Sequence, residues 1–119
     1  MEVRISVEKE FERQLRKLTK KYRSIIDDYE TFLNELEKNP YQGSCLGRGV
    51  RKVRMAIASK GKGKSGGARV ITYNLYQEEE VIVIDLLTIY DKNEISNISD
   101  DFITYLLNEG SVNRTVSRL

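Results

Sequence analysis

A chain of 119 residues, 39% hydrophobic and 32% charged, has the composition of one globular domain, large enough for one core but not for two. It contains no histidine and one cysteine, which excludes a Ser-His-Asp hydrolase, a histidine-dependent ribonuclease, a His-ligated zinc site and an internal disulfide. The formal net charge of +2 hides a segregation, because residues 48–69 hold eight of the 20 bases and no acid, leaving 12 bases against 18 acids elsewhere.

No apolar run approaches the ~20 residues that cross a bilayer, so no membrane association is expected. Met1-Glu2-Val3-Arg4 is mixed in charge and does not read as a signal peptide. Val3-Arg4-Ile5 has the pattern of a short first strand. Ser6 is placed to cap a helix whose apolar face carries Phe11, Leu15, Leu18 and Tyr22. After a break at Arg23-Ser24, a second helical stripe carries Ile25, Tyr29, Phe32 and Leu36. Asn39-Pro40 ends it, because the residue before proline is driven out of the α region. An αα-hairpin lying on one face of a sheet is the expected arrangement.

Residues 41–49 read as a loop with three glycines, including the lone cysteine, Cys45, an ordinary thiol suited to a reducing cytosol. The period then changes to two. From Val50 to Ala58, Val53, Met55 and Ile57 share one face, and Lys52, Arg54 and Ala56 share the other. Residues 59–67 form a turn rich in glycine and lysine. A second alternating strand runs from Ala68 to Tyr76, with Arg69, Ile71, Tyr73 and Leu75 on one side. Gln77-Glu78-Glu79-Glu80 makes an acidic turn. Val81 to Ile89 is almost continuously apolar, as expected of a central strand buried on both faces. Ser99 caps a last helix carrying Phe102, Ile103, Leu106 and Leu107, which Gly110 ends. The order is β-α-α-β-β-β-α. The expected fold is α+β, in two layers, with a mainly antiparallel sheet and the helices packed on one face. One domain covers residues 1–110, and 111–119 read as a frayed tail.

The run from Ala58 to Ser65, ASKGKGKS, fits a loose phosphate-loop pattern. That motif needs a helix directly after its lysine to present backbone N–H groups to phosphate. Here Gly66-Gly67 and a strand pattern follow, so a nucleotide site is not expected.

The basic residues have a more coherent placement. Lys52 and Arg54 point the same way from one strand. Lys60, Lys62 and Lys64 lie on the turn, Arg69 opens the next strand, and Lys92 follows Tyr90 at the end of the last. If the strands pair in order, these ends converge on one polyanion-binding patch, and nucleic acid is the usual partner. Such a patch can also cleave RNA without metal or cofactor. A base takes the 2′-hydroxyl proton, cations stabilise the pentacovalent phosphate, and an acid protonates the leaving oxygen. A lysine crowded by cations is a suitable base, and arginine suits the phosphate role. Each residue also has a plainer role. Strand-edge charge discourages aggregation, and turn lysines are commonly just solvated.

Three stretches carry a family resemblance: KVR at 52–54, SKGKGKSGGARVI at 59–71 and LLTIYDKNE at 86–94, read from Leu87 onward as LTIYDKNE. Together they resemble toxins of the RelE/HigB group, in the RelE/ParE superfamily of bacterial type II toxin–antitoxin systems. The similarity covers about residues 3–107. It implies a RelE-like fold and a cytoplasmic, ribosome-dependent mRNA interferase that enters the ribosomal A site and cuts the transcript. It also implies a cognate antitoxin that blocks the basic face, with operator DNA bound only through that complex. On the resemblance, the catalytic set falls on Lys52, Arg54, Arg69, Tyr90 and Lys92, with Lys52 or Lys92 as base. Arg51, Lys60, Lys62 and Lys64 are the RNA-binding neighbours. Two departures stand out: residues 95–98 lack the tyrosine some members use, and no histidine is present. The alternatives are a ParE-like gyrase poison and a non-catalytic RNA- or ribosome-binding module.

Overall fold

The computed structural model describes residues 2–78 and 80–116, which form five strands and three α-helices. Strand β1 (Glu2–Val7) leads into α1 (Lys9–Lys21) and α2 (Ile25–Lys38). Then come β2 (Ser44–Gly47), β3 (Val50–Met55), β4 (Ala68–Glu78), β5 (Val81–Asp91) and α3 (Asp100–Val116). The class is α+β, with one sheet of order β1-β5-β4-β3-β2.

β3, β4 and β5 pair antiparallel in chain order, as the meander predicts. The sheet as a whole is mixed, because β1 pairs parallel to β5, from Glu2 opposite Val81 to Val7 opposite Leu86. Parallel neighbours need a long connection, and residues 8–80, which hold α1, α2 and β2 to β4, supply it. A second correction concerns residues 41–49, expected as loop: Ser44–Gly47 is a fifth strand, antiparallel to β3. Its turn, Gly47-Arg48-Gly49, has positive φ at all three residues. So short a strand, broken by a register shift after Cys45, carries no alternation that a sequence reading could detect.

The helices do not share one face. Phe11 and Leu18 of α1 and Ile25, Phe32 and Leu36 of α2 pack with Val53, Met55, Val70, Ile84, Leu86 and Ile89. Ile103 and Leu106 of α3 pack instead with Val50, Ile71, Leu87 and Tyr90. By strand alternation the second set lies on the opposite face. A register shift in β5, where Ile71 pairs with Thr88 but Thr72 with Leu86, puts Leu86 on the same face as Ile89 and Leu87 on the same face as Tyr90, pairs that plain alternation would split. β5 is apolar on both sides, so both sides need a cover. The molecule therefore has three layers where two were expected.

Two helix ends also differ from expectation. Ser6 belongs to β1, where its hydroxyl donates to Asp85 at 2.8 Å, and Glu8 precedes α1 without a side-chain cap. α3 begins as expected, with the Phe102 N–H on the Ser99 hydroxyl at 3.1 Å, but it passes through buried Gly110 to Val116. A mid-helix glycine costs about 1 kcal/mol, too little to stop a helix packed against a sheet. Residues 117–119 of the expected tail, and Glu79 of the acidic turn, lie outside the described residues.

Candidate functional site

Antiparallel pairing fixes which basic side chains meet. Ser44 lies opposite Lys52 and Lys52 opposite Ile71, while Arg54 lies opposite Arg69 and Arg69 opposite Tyr90. Directly opposed residues point to the same side of a sheet, so Lys52, Arg54, Arg69 and Tyr90 share the face that α3 covers elsewhere. β2 pairs only as far as Lys52, leaving the outer edge of β3 open from Val53 onward. A cleft of about 440 Å³ lies there, lined by Gln42, Gly43, Ser44, Lys52, Val53, Arg54, Lys64 and Arg69. Four cations from three segments line it, and no carboxylate does.

Arg69 is only 7% exposed. Its guanidinium donates to the carbonyls of Lys64 (3.2 Å), Ser65 (3.0 Å) and Ala68 (3.2 Å). Burial, reinforced by the positive charge of Arg54, lowers its pKa, and Tyr90 opposes this. An arginine still keeps its proton at ordinary pH. Arg69 thus places a fixed charge at the cleft wall and ties down the turn that brings Lys64. The Lys64 ammonium in turn meets the Glu35 carboxylate of α2 at 2.7 Å.

The other predicted residues are not in this group. Tyr90 adjoins Arg69, but its ring is buried among Ile71, Leu87 and Ile103, and burial raises its pKa against the opposing effect of Arg69. Lys92 is exposed just beyond β5, with its N–H on the Gly67 carbonyl at 3.1 Å. By alternation Arg51 belongs to the opposite face. Its guanidinium lies 5.8 Å from the centre of the exposed Tyr41 ring and donates to the Gly43 carbonyl. The Lys60 side chain is only 7% exposed, with its ammonium 2.9 Å from Asp91, while Lys62 is exposed on the turn. Arg48, at the start of the basic stretch, reaches α3 and donates to the Thr104 hydroxyl at 2.8 Å.

Three lining or adjoining residues escape a reading of the sequence. Gln42 and Ser44 give the cleft neutral hydrogen-bonding groups, and Glu35 gives Lys64 its counter-ion. Nothing local flags Glu35, which is 29 positions from Lys64. Among the described residues, no three Cys, Asp or Glu side chains gather as a metal ion would require.

What the cleft can do follows from these contents. Clustered cations bind phosphate oxygens and stabilise extra negative charge on a phosphorus centre. No protein-family model matches the chain.

Proposed function

We propose that the protein is a toxin of the RelE/HigB kind, the toxic component of a type II toxin–antitoxin system. It cuts mRNA at the ribosomal A site in the cytoplasm by attack of the RNA 2′-hydroxyl on the neighbouring phosphate. Lys52, Arg54, Lys64 and Arg69 hold the scissile phosphate and its flanking oxygens. Lys92 from the end of β5, or Lys52 in its neutral form instead of holding phosphate, takes the hydroxyl proton. The P–O5′ bond breaks to leave a 2′,3′-cyclic phosphate, and the departing 5′-oxygen takes a proton from a lysine ammonium or water. A cognate antitoxin neutralises the basic face, and operator DNA is bound only through that complex.

One observation carries this reading: Arg54 and Arg69 lie directly opposite each other on paired strands, in a cleft with two lysines and no lining acid. Like charges opposed across strands destabilise a sheet, so a cleft built from them is understandable as a site for an anion. The resemblance of residues 52–54, 59–71 and 87–94 to the toxin group selects RNA as that anion.

The deciding experiment is primer extension on a defined mRNA with purified protein, with and without translating ribosomes. New 5′ ends only with ribosomes, lost in Arg54→Ala and Lys52→Ala, are the expected result. Intact mRNA in both reactions, from folded protein, overturns the nuclease. A second reading, a non-catalytic RNA-binding module, draws support from Arg69 and Tyr90. The first spends its hydrogen bonds on turn carbonyls and the second packs in the core. RNA binding without new ends in any reaction would favour it.

A further inference from the structure

The cleft's cations have one carboxylate in direct ion-pair contact among the described residues, and it comes from outside the lining. Glu35 projects from the C-terminal half of α2, and its Oε2 lies 2.7 Å from the Lys64 ammonium. Both side chains are substantially exposed, at 53% for Lys64 and 38% for Glu35, so the pair is open to solvent. Lys64 is not free to drift from the cleft, because Arg69 grips its backbone carbonyl at 3.2 Å and that of Ser65 at 3.0 Å. The backbone is pinned while the ammonium is held by an exchangeable partner.

We propose that Glu35 is a built-in competitor for the cleft's anion, occupying Lys64 until a phosphate displaces it. The proposal rests on the cleft being an RNA-phosphate site and adds the means by which its affinity is set. A carboxylate and a phosphate oxygen compete for the same ammonium, and an exposed pair is weak enough to exchange. While Glu35 holds Lys64, RNA binding gains nothing from this lysine until the internal pair breaks. The cleft then discriminates against weak, diffuse anions and admits a ligand that engages Lys52, Arg54 and Lys64 together.

The test measures binding of a fluorescein-labelled single-stranded RNA to wild type, Glu35→Gln, Lys64→Gln and the double variant across a salt series. Both positions are solvent-exposed, so the variants are expected to fold, and circular dichroism checks this. Glu35→Gln is expected to bind about threefold more tightly at low salt, within the range open to an exposed pair. Lys64→Gln should flatten the log–log salt dependence by about 0.7, the increment for one single-strand phosphate contact, while Glu35→Gln alone should leave the slope near the wild-type value. In the Lys64→Gln background, Glu35→Gln should change neither quantity. Equal or weaker binding by Glu35→Gln, while Lys52→Ala, measured alongside as a control, weakens binding, overturns the competitor and leaves the RNA site standing. A tightening that persists without Lys64 reduces Glu35 to a general charge effect and also overturns it. No RNA binding by any of the four proteins, even at the lowest salt, removes the RNA site and the competitor together.

Discussion

Asp91 shows how one buried carboxylate organises the base of the lysine turn. It accepts hydrogen bonds from the Tyr22 hydroxyl, the Lys60 ammonium at 2.9 Å and the Asn93 N–H at 2.9 Å. Burial alone would raise its pKa, but these bonds and the charge of Lys60 outweigh burial and lower it from 3.8 to about 2. A depressed carboxylate stabilises the fold above its unfolded pKa and loses that contribution as pH falls through the folded value. Unfolding by urea should therefore show about 2 kcal/mol disappearing between roughly pH 4 and pH 2. Asp91→Asn should lack that component and cost about 3 kcal/mol at neutral pH, because it leaves Lys60 charged, buried and unpaired. An unchanged acid profile in that variant would rule out this role for Asp91. Arg69→Lys is informative for a different reason. It keeps the charge but loses the fork that spans the turn carbonyls, and should cost about 1–2 kcal/mol. Limited trypsinolysis should then cut at Lys62 faster than in wild type; equal rates would show that the fork does not hold the turn.

At the level of elements, the amphipathic helices and the three long strands are legible because their periods differ and each buries one or two definite faces. Val53, Met55 and Ile57 fall on the buried side as alternation requires, and Asn39 closes α2. Legibility fails where an element is as short as β2, which brings only Leu46 to the core, or where the question is which face an element chooses. α3 illustrates the second case. Its apolar stripe is plain, but its place across the sheet from α1 and α2 depends on β5 needing cover on both sides. Ile103→Ala should cost about 3 kcal/mol in urea unfolding if α3 packs tightly on that face, whereas a loss under about 0.5 kcal/mol would detach it. The turn between β3 and β4 is set by close approach. A Cβ on Gly67 would overlap the Met55 carbonyl and come within 2.9 Å of the Ile57 nitrogen. Gly67→Ala should therefore destabilise by about 2 kcal/mol, measured as a lower thermal midpoint.

For the whole molecule, position matters more than total charge. A net of +2 on 119 residues predicts little affinity for polyanions, yet the bases of residues 48–69 are set against an acidic remainder. Salt screens exposed charges beyond about 10 Å at 0.1 M, so a polyanion feels the cleft and not the average. Heparin retention should be abolished by Lys52→Glu with Arg54→Glu. It should largely survive Lys9→Glu with Lys17→Glu on α1, which changes the net charge equally. Equal losses from both pairs would mean that total charge governs binding.

The sequence by itself determined the α+β class, the helical and strand periods, the meander and the basic segment, because each is written in residues close along the chain. Only the tertiary structure decided which basic residues lie together. Strand register opposes Arg54 to Arg69 and closes the cleft with Lys52 and Lys64, while Lys60 is drawn into a buried pair with Asp91 and Arg51 turns to the other face. Those outcomes, like the parallel β1 and the meeting of Glu35 with Lys64, join positions far apart in the chain. Local pattern carries no record of such meetings, since they arise only when the sheet pairs and both of its faces are covered.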